Sequence, residues 1–205
     1  MPTGEVPYPL SFKGQLSEPL SRWLWLVKWF LLIPHYIVLV FLWIAFAVAW
    51  VIALFTILFT GKYPRGLFEF NLGVLRWTWR VSFYSYSALG TDKYPPFMLK
   101  AGGYPADLEV TYPEKLSKGL VLVKWWVLAI PQYMVTSIFQ GGWGWRFCGG
   151  LVSMLAIFAG VAVLFKGKYP KSIFDFVMRM NRWTYRVVIY VSLMTDRYPP
   201  FSLEE

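Results

Sequence analysis

The chain has 205 residues and a formal net charge of +9; 57% of its residues are hydrophobic and only 15% are charged. Soluble domains carry about 25% charged residues, so this composition excludes an ordinary soluble protein and predicts a surface covered largely by lipid. The basic excess forms no Lys/Arg tract and no separate basic domain. It therefore argues against a nucleic-acid partner and favours anionic lipid headgroups.

The first elements are predicted to be a short extended segment over residues 8 to 18 and a helix over about 19 to 33. The helix carries apolar residues on one face, and Arg22 and Lys28 lie elsewhere. This pattern is typical of a helix in the membrane interface, with the cations contacting headgroups. The alternative is the first half of a full span in which Lys28 snorkels.

The run from Pro34 to Thr60 contains no Asp, Glu, Lys, Arg or Gly. It exceeds the roughly 20 residues that a helix needs to cross a hydrocarbon core of about 30 Å. Pro34 either kinks the chain or starts this helix, because it lacks a backbone donor. The run is predicted to be a transmembrane helix.

A third helix is predicted over about 65 to 89, with a narrow charged stripe formed by Glu69, Arg76 and Arg80. Such a helix can lie in the interface with its arginines directed at phosphates. It can also cross the bilayer with the stripe against a partner, because an isolated charge in hydrocarbon costs at least about 2.5 kcal/mol.

The chain then repeats itself. Leu-Val-Lys-Trp recurs at 26–29 and 122–125, Gly-Lys-Tyr-Pro at 61–64 and 167–170, Arg-Trp-Thr at 76–78 and 182–184, and Thr-Asp-basic-Tyr-Pro-Pro-Phe at 91–97 and 195–201. Ordered matches of this kind mean tandem duplication, with one unit over 1–99 and a second over 100–205. In the second unit the charged stripe comprises Asp175, Arg179, Arg182 and Arg186, and the interfacial cations are Lys118 and Lys124.

The second unit differs in one respect. Glycines at 141, 142, 144, 149 and 150 interrupt its long apolar run. This break is expected at the surface or against protein, because unpaired backbone groups are costly in lipid.

These strings resemble an uncharacterised bacterial membrane-protein family, common in actinobacteria, built from one or two units. Its units read approximately Lys-Trp, Ile-Pro-His, Gly-basic-Tyr-Pro, Phe-Asp-Phe, Arg-Trp and Tyr-Pro-Pro-Phe. The resemblance covers both halves, and Gln132 replaces the histidine in the second. It implies a membrane location and no established activity.

The fold class expected is an all-α integral membrane protein with an interfacial helix, a hydrophobic span and an Arg-striped helix in each unit. Short extended segments are expected at the termini and linker, including 8 to 18 and its counterpart 104 to 114. Two crossings per unit keep equivalent basic turns on one side, so about four crossings are predicted in all. On that topology nine Lys/Arg lie with the termini and linker and five at the opposite turns. This bias predicts a multi-pass plasma-membrane protein with cytoplasmic termini, whose first membrane element acts as an uncleaved insertion signal.

Candidate chemistry is sparse. The acid and arginine stripes could bind a lipid phosphate, but an ion-paired seam joining the units or docking another subunit is the preferred interpretation. His35 has no Cys or second His beside it, so a hydrogen-bonding role at a helix start is favoured over a metal site. Asp92 and Asp196 are expected to close turns. Cys148 has no evident base, and no catalytic motif or cofactor-binding motif appears.

The function expected is therefore a non-catalytic membrane scaffold or accessory subunit, whose partners are membrane lipids and other membrane protein subunits. The alternative is a small lipid-handling or transport-related protein with an anionic ligand between the two units.

Overall fold

The structure is a computed structural model that describes residues 8–142 and 150–203. In these residues it is mostly helical, with seven α-helices and one small sheet. The elements are β1 (Leu10–Gly14), a 3-10 turn (Leu24–Leu26), α1 (Lys28–Leu31), α2 (Ile33–Thr60), α3 (Arg65–Tyr84), β2 (Ala106–Val110), α4 (Leu120–Val123), α5 (Ile130–Gln140), α6 (Leu151–Lys166) and α7 (Lys171–Val191). The helix expected over 19 to 33 is instead the 3-10 turn and the single turn α1, and α3 ends at Tyr84 rather than near 89.

The long apolar run forms α2, and Pro34 lies in its first turn, so this proline starts the helix. The helix ends where Gly61 adopts a left-handed conformation, with φ of 72°. Its 28 residues extend about 42 Å. By length and composition α2 is the one helix among the described residues that could cross a membrane.

Two helices take the place of α2 in the second unit. They are α5 with 11 residues and α6 with 16. A Cβ built on Gly150, at the start of α6, would overlap the backbone of Phe139 and Gln140 at the end of α5. The chain therefore resumes its helical course close to where α5 stops. The rest of the predicted glycine-rich break, with Gly144, Cys148 and Gly149, lies outside the described residues.

The two predicted extended segments pair with each other as an antiparallel sheet, which the sequence did not predict. Phe12 lies opposite Leu108, and the flanking pairs are Ser11 with Glu109 and Lys13 with Asp107. Ser11 and Asp107 occupy equivalent positions of the two units. The strands are therefore related by a pseudo-two-fold axis that passes between Phe12 and Leu108 and runs perpendicular to the sheet.

The elements form three layers. In the middle layer, α3 meets the sheet through Trp79, whose Nε1 donates to the Lys13 carbonyl at 2.9 Å, and α7 meets it through Tyr185, whose ring lies 5.2 Å from that of Phe12. The outer layer holds α2, α5 and α6. For example, Leu39 of α2 belongs to one buried cluster with Trp77, Val81 and Tyr84 of α3.

This position corrects the expectation that α3 and α7 are returning spans. Nearly every residue of α3 from Asn71 to Tyr84 is buried, with the sheet on one side and α2 on the other. The exposed charges of α7 lie in its first half, at Lys171, Asp175 and Arg179. Neither helix presents the apolar outer face that a lipid-contacting span requires.

Candidate functional site

Lys28 and Lys124 are buried, which corrects the expectation that they contact headgroups. Lys28 Nζ lies 3.0 Å from an Asp92 carboxylate oxygen and donates to the Thr91 carbonyl at 2.6 Å. Lys124 Nζ lies 2.7 Å from Asp196 and donates to the Thr195 carbonyl at 3.0 Å. These contacts attach the Thr-Asp turn at the end of each unit to the helical segment at the start of the same unit.

Each carboxylate also accepts a backbone hydrogen bond from a serine at the start of the unit, Ser21 for Asp92 and Ser117 for Asp196. Lys28 faces the Tyr84 ring at 4.5 Å, a favourable contact for a desolvated cation. Burial lowers the pKa of the Lys28 ammonium, and the hydrogen bond and charge of Asp92 act in the opposite direction.

A second buried cluster joins the two units. Arg76 and Arg80 of α3 share Asp107 of β2, with nitrogen to oxygen distances of 3.1 and 3.3 Å. Arg76 also donates to the Leu108 carbonyl at 3.0 Å, and Arg80 donates to the Lys100 carbonyl at 2.8 Å. Because Arg80 is completely buried, these bonds hold its charge and attach the strand and linker of the second unit to the first.

The equivalent place in the second unit has different chemistry, because Ser11 stands where β2 has Asp107. Arg186 is buried, donates to the Ser202 carbonyl at 3.1 Å and lies 5.7 Å from the Tyr8 ring. Arg182 and Arg186 line a groove of about 550 Å³ between β1 and α7, into which Glu109 also projects.

The acids of the predicted stripes do not join their arginines. Glu69 and Asp175 are exposed, and so is Arg179. The acid that pairs with both Arg76 and Arg80 is Asp107, which sequence reasoning missed because it lies in another unit. The sequence did offer two clues. Asp107 is an acid in a predicted extended segment, and Arg76 and Arg80 needed a counter-charge from elsewhere in the chain.

Arg22 and Lys118, predicted as headgroup contacts, are exposed. Each lies against the end of the other unit's long helix. Lys118 Nζ donates to the Phe59 carbonyl at 2.6 Å, and a Cβ built on Gly167 would lie 3.2 Å from an Arg22 guanidinium nitrogen. Both side chains therefore lie at junctions between units as well as at the surface.

His35 acts as a hydrogen-bond acceptor at the start of α2. Its Nδ1 accepts from Trp77 Nε1 at 3.0 Å, and its ring stacks on Phe97 at 3.9 Å. In the second unit Gln132 Oε1 accepts from Trp183 Nε1 at 2.7 Å. The residue types differ, but each gives the buried indole N–H an acceptor.

The largest unassigned feature is an apolar surface on α1, α2, α4, α5 and α6, which we call the outer face. Its exposed side chains include Phe30, Phe41, Phe59, Met134, Ile138, Phe158 and Phe165, each more than 60% exposed. Monomeric soluble proteins rarely expose large contiguous apolar patches, so such a surface indicates lipid or another protein. Within residues 8–142 and 150–203, no three His, Cys, Asp or Glu side chains are grouped to hold a metal ion.

These features define a mostly helical protein of two interlocked repeats with one candidate membrane helix. The chain belongs to the family described as Domain of unknown function (DUF4389), which it matches over residues 22–98 and again over 122–202. The two matches confirm the repeat. Neither a curated protein nor a solved structure matches the chain.

Proposed function

We propose that this protein is a non-catalytic membrane-embedded scaffold or accessory subunit, which packs lipids and other membrane subunits through its outer face. The observation that carries the proposal is the combination of this apolar face with an interior in which the buried cations hold the fold together. Lys28, Lys124, Arg76 and Arg80 each bind a carboxylate and at least one backbone carbonyl. These four cations therefore have a structural role inside the fold.

Four crossings suit this arrangement poorly, because α3 and α7 lie beneath the sheet. The membrane contact proposed here is made by α1, α2, α4, α5 and α6. Exposed tryptophans in two of these helices, Trp29 of α1 and Trp43 of α2, have the amphipathic rings that favour the headgroup level.

The test has two steps. The full-length protein should stay with the membrane fraction after a high-salt wash and be released by mild detergent. A photo-crosslinking amino acid at Phe41 or Phe158 should then give a discrete protein adduct in native membranes, whereas one at exposed Glu109 on the sheet serves as the control. Recovery in the soluble fraction refutes membrane embedding, and adducts with lipid alone refute the scaffold role.

One observation supports a second candidate, a lipid-handling protein that binds an anionic ligand between the units. The groove between β1 and α7 is lined by Arg182 and Arg186, and charge-assisted bonds from guanidinium groups suit phosphate. Replacing Arg182 with Gln should reduce retention of anionic lipid if this role holds. Unchanged lipid retention, alongside loss of crosslinked partners in outer-face variants, favours the scaffold.

A further inference from the structure

The sheet must face water. Among the described residues its two strands pair only with each other. The Leu108 carbonyl accepts from Arg76, but no further strand continues the ladder at either edge, and a strand edge placed in lipid would leave backbone groups without partners. Lys13 and Glu109 are exposed on it. The outer face lies on the opposite side of α3 and α7, so the molecule has one polar side and one apolar side.

The pseudo-two-fold axis fixes the relation of the two units to the membrane. It runs perpendicular to the sheet between Phe12 and Leu108. With the sheet in water and the outer face in lipid, this axis points along the membrane normal. Equivalent residues of the two units therefore lie at equal depth.

Contacts between the units then fix the depth of the helix ends. Lys118, at the start of the second unit, donates to Phe59, and the Leu116 N–H donates to the Gly61 carbonyl at 2.8 Å. Arg22, at the start of the first unit, lies against Gly167. The start of each unit thus lies level with the end of the other unit's long helix.

The starts of the two units lie at equal depth, and so do the ends of α2 and α6. Because each start contacts the helix end of the other unit, these four positions lie at one level. The stretch from Arg22 to Leu32, which leads from the first of them to the start of α2, consists of turns, the 3-10 turn and α1, and these rise only about 1.5 to 2 Å per residue. The start of α2 therefore cannot lie across a hydrocarbon core of about 30 Å from that level. A helix of about 42 Å that begins and ends near one level lies along the membrane surface.

We infer that the protein embeds in a single leaflet, with α2 lying parallel to the membrane surface and the sheet in water on the same side. This inference rests on the membrane association proposed above. About half of the circumference of α2 is exposed, from Tyr36 and Trp43 on one flank to Phe41 and Ile52 on the other. That is the part a leaflet covers when a helix is immersed by roughly 5 to 10 Å.

Basic residues lie where the headgroups of that leaflet would be. Lys62, Arg65 and Lys115 line a pocket of about 440 Å³ beside the end of α2, together with Glu114. Arg65 lies over the Tyr112 ring at 5.0 Å. Three cations to one acid at the edge of an apolar surface complement anionic headgroups.

The decisive experiment measures sidedness. In a Cys148→Ser background, single cysteines replace Lys62 near the end of α2, Lys93 near its start and Glu109 on the sheet. An impermeant maleimide is applied to sealed and to permeabilised membranes that carry the full-length protein. Single-leaflet embedding requires all three sites to react from the same side, whereas a crossing helix places Lys62 and Lys93 on opposite sides and overturns the inference.

A depth measurement gives an independent result. Spin labels at Ile37 and Val48, both 56% exposed, should show equal depth by their accessibility to oxygen and to a polar relaxation agent. An upright helix would separate them by about 16 Å. Vesicle flotation identifies the other failure: protein that does not float with anionic phosphatidylglycerol vesicles refutes membrane association, and floating protein with opposite-sided labels refutes only the single-leaflet arrangement.

Discussion

Replacing Asp92 with Asn should destabilise the protein far more than replacing its partner Lys28 with Met. The Lys28 side chain is 1% exposed, whereas that of Asp92 is 24% exposed. At 3.0 Å and an effective dielectric constant of about 20, the charge attraction is about 5 to 6 kcal/mol, and desolvation of the ammonium offsets much of it.

The two carboxylate oxygens of Asp92 serve Lys28 and the Ser21 N–H separately, whereas asparagine offers a single neutral amide oxygen. In Asp92→Asn the buried ammonium therefore loses its counter-charge, and only its bond to the Thr91 carbonyl is unchanged. We expect a loss of about 3 kcal/mol, the low end for breaking a buried pair, because Asp92 reaches solvent. Without the ammonium, Asp92 keeps the Ser21 N–H and water, and Met fills the space of the lysine stem, so the loss should be about 1 kcal/mol. Thermal unfolding followed by circular dichroism in detergent should show midpoints lowered by about 6 to 12 °C and about 2 to 4 °C.

The pH dependence of stability gives a second test of the Lys28–Asp92 pair. Burial lowers the pKa of Lys28, and loss of Asp92 removes the interactions that raise it. The unfolded chain then binds more protons than the folded one at neutral and mildly alkaline pH, so the stability of Asp92→Asn should recover relative to wild type as pH rises from 7 towards 9.5. Equal losses for the two variants, or a deficit that grows with pH, would refute this account of the pair.

Three further predictions concern single side chains, and the first two use matched variants. His35→Gln should leave the thermal midpoint nearly unchanged, because the second unit uses glutamine at this place. His35→Leu should reduce the free energy of unfolding by about 1 to 3 kcal/mol, because it leaves the Trp77 indole N–H without an acceptor. Equal midpoints for the two variants would contradict this role of His35. Gly150→Ala should lower yield and thermal midpoint because its methyl overlaps the α5 backbone, while Gly66→Ala, with open space around it, should stabilise α3 by up to about 1 kcal/mol. Burial raises the pKa of Tyr63 to about 12, so its contribution to stability is complete below pH 10 and lost as pH rises through 12. Tyr63→Phe should therefore make the protein less prone to unfold at alkaline pH. If the tyrosinate absorbance of the folded wild type at pH 10 equals that of the denatured chain, this prediction is wrong.

Interactions between near neighbours in the chain were predictable from sequence. The apolar run predicted α2 almost to its ends, and the Gly-Lys-Tyr-Pro turns predicted where α3 and α7 begin. The ordered matches predicted the repeat that the family matches confirm. The helix bounds depend on residues within a few turns of one another, and the repeat is found by comparing the chain with itself, so neither requires knowledge of tertiary contacts.

Pairing across the fold was decided only by tertiary structure. A helical wheel can place Glu69 near Arg76 and Arg80, but it cannot show that a strand of the other unit brings Asp107 to them. The same limit applies to Lys28, whose carboxylate partner Asp92 comes from the far end of its unit. Charges that were expected at the membrane surface are instead buried in ion pairs that link parts of the fold. Local amphipathicity could not predict this, because only the folded chain shows which side of each helix another element covers.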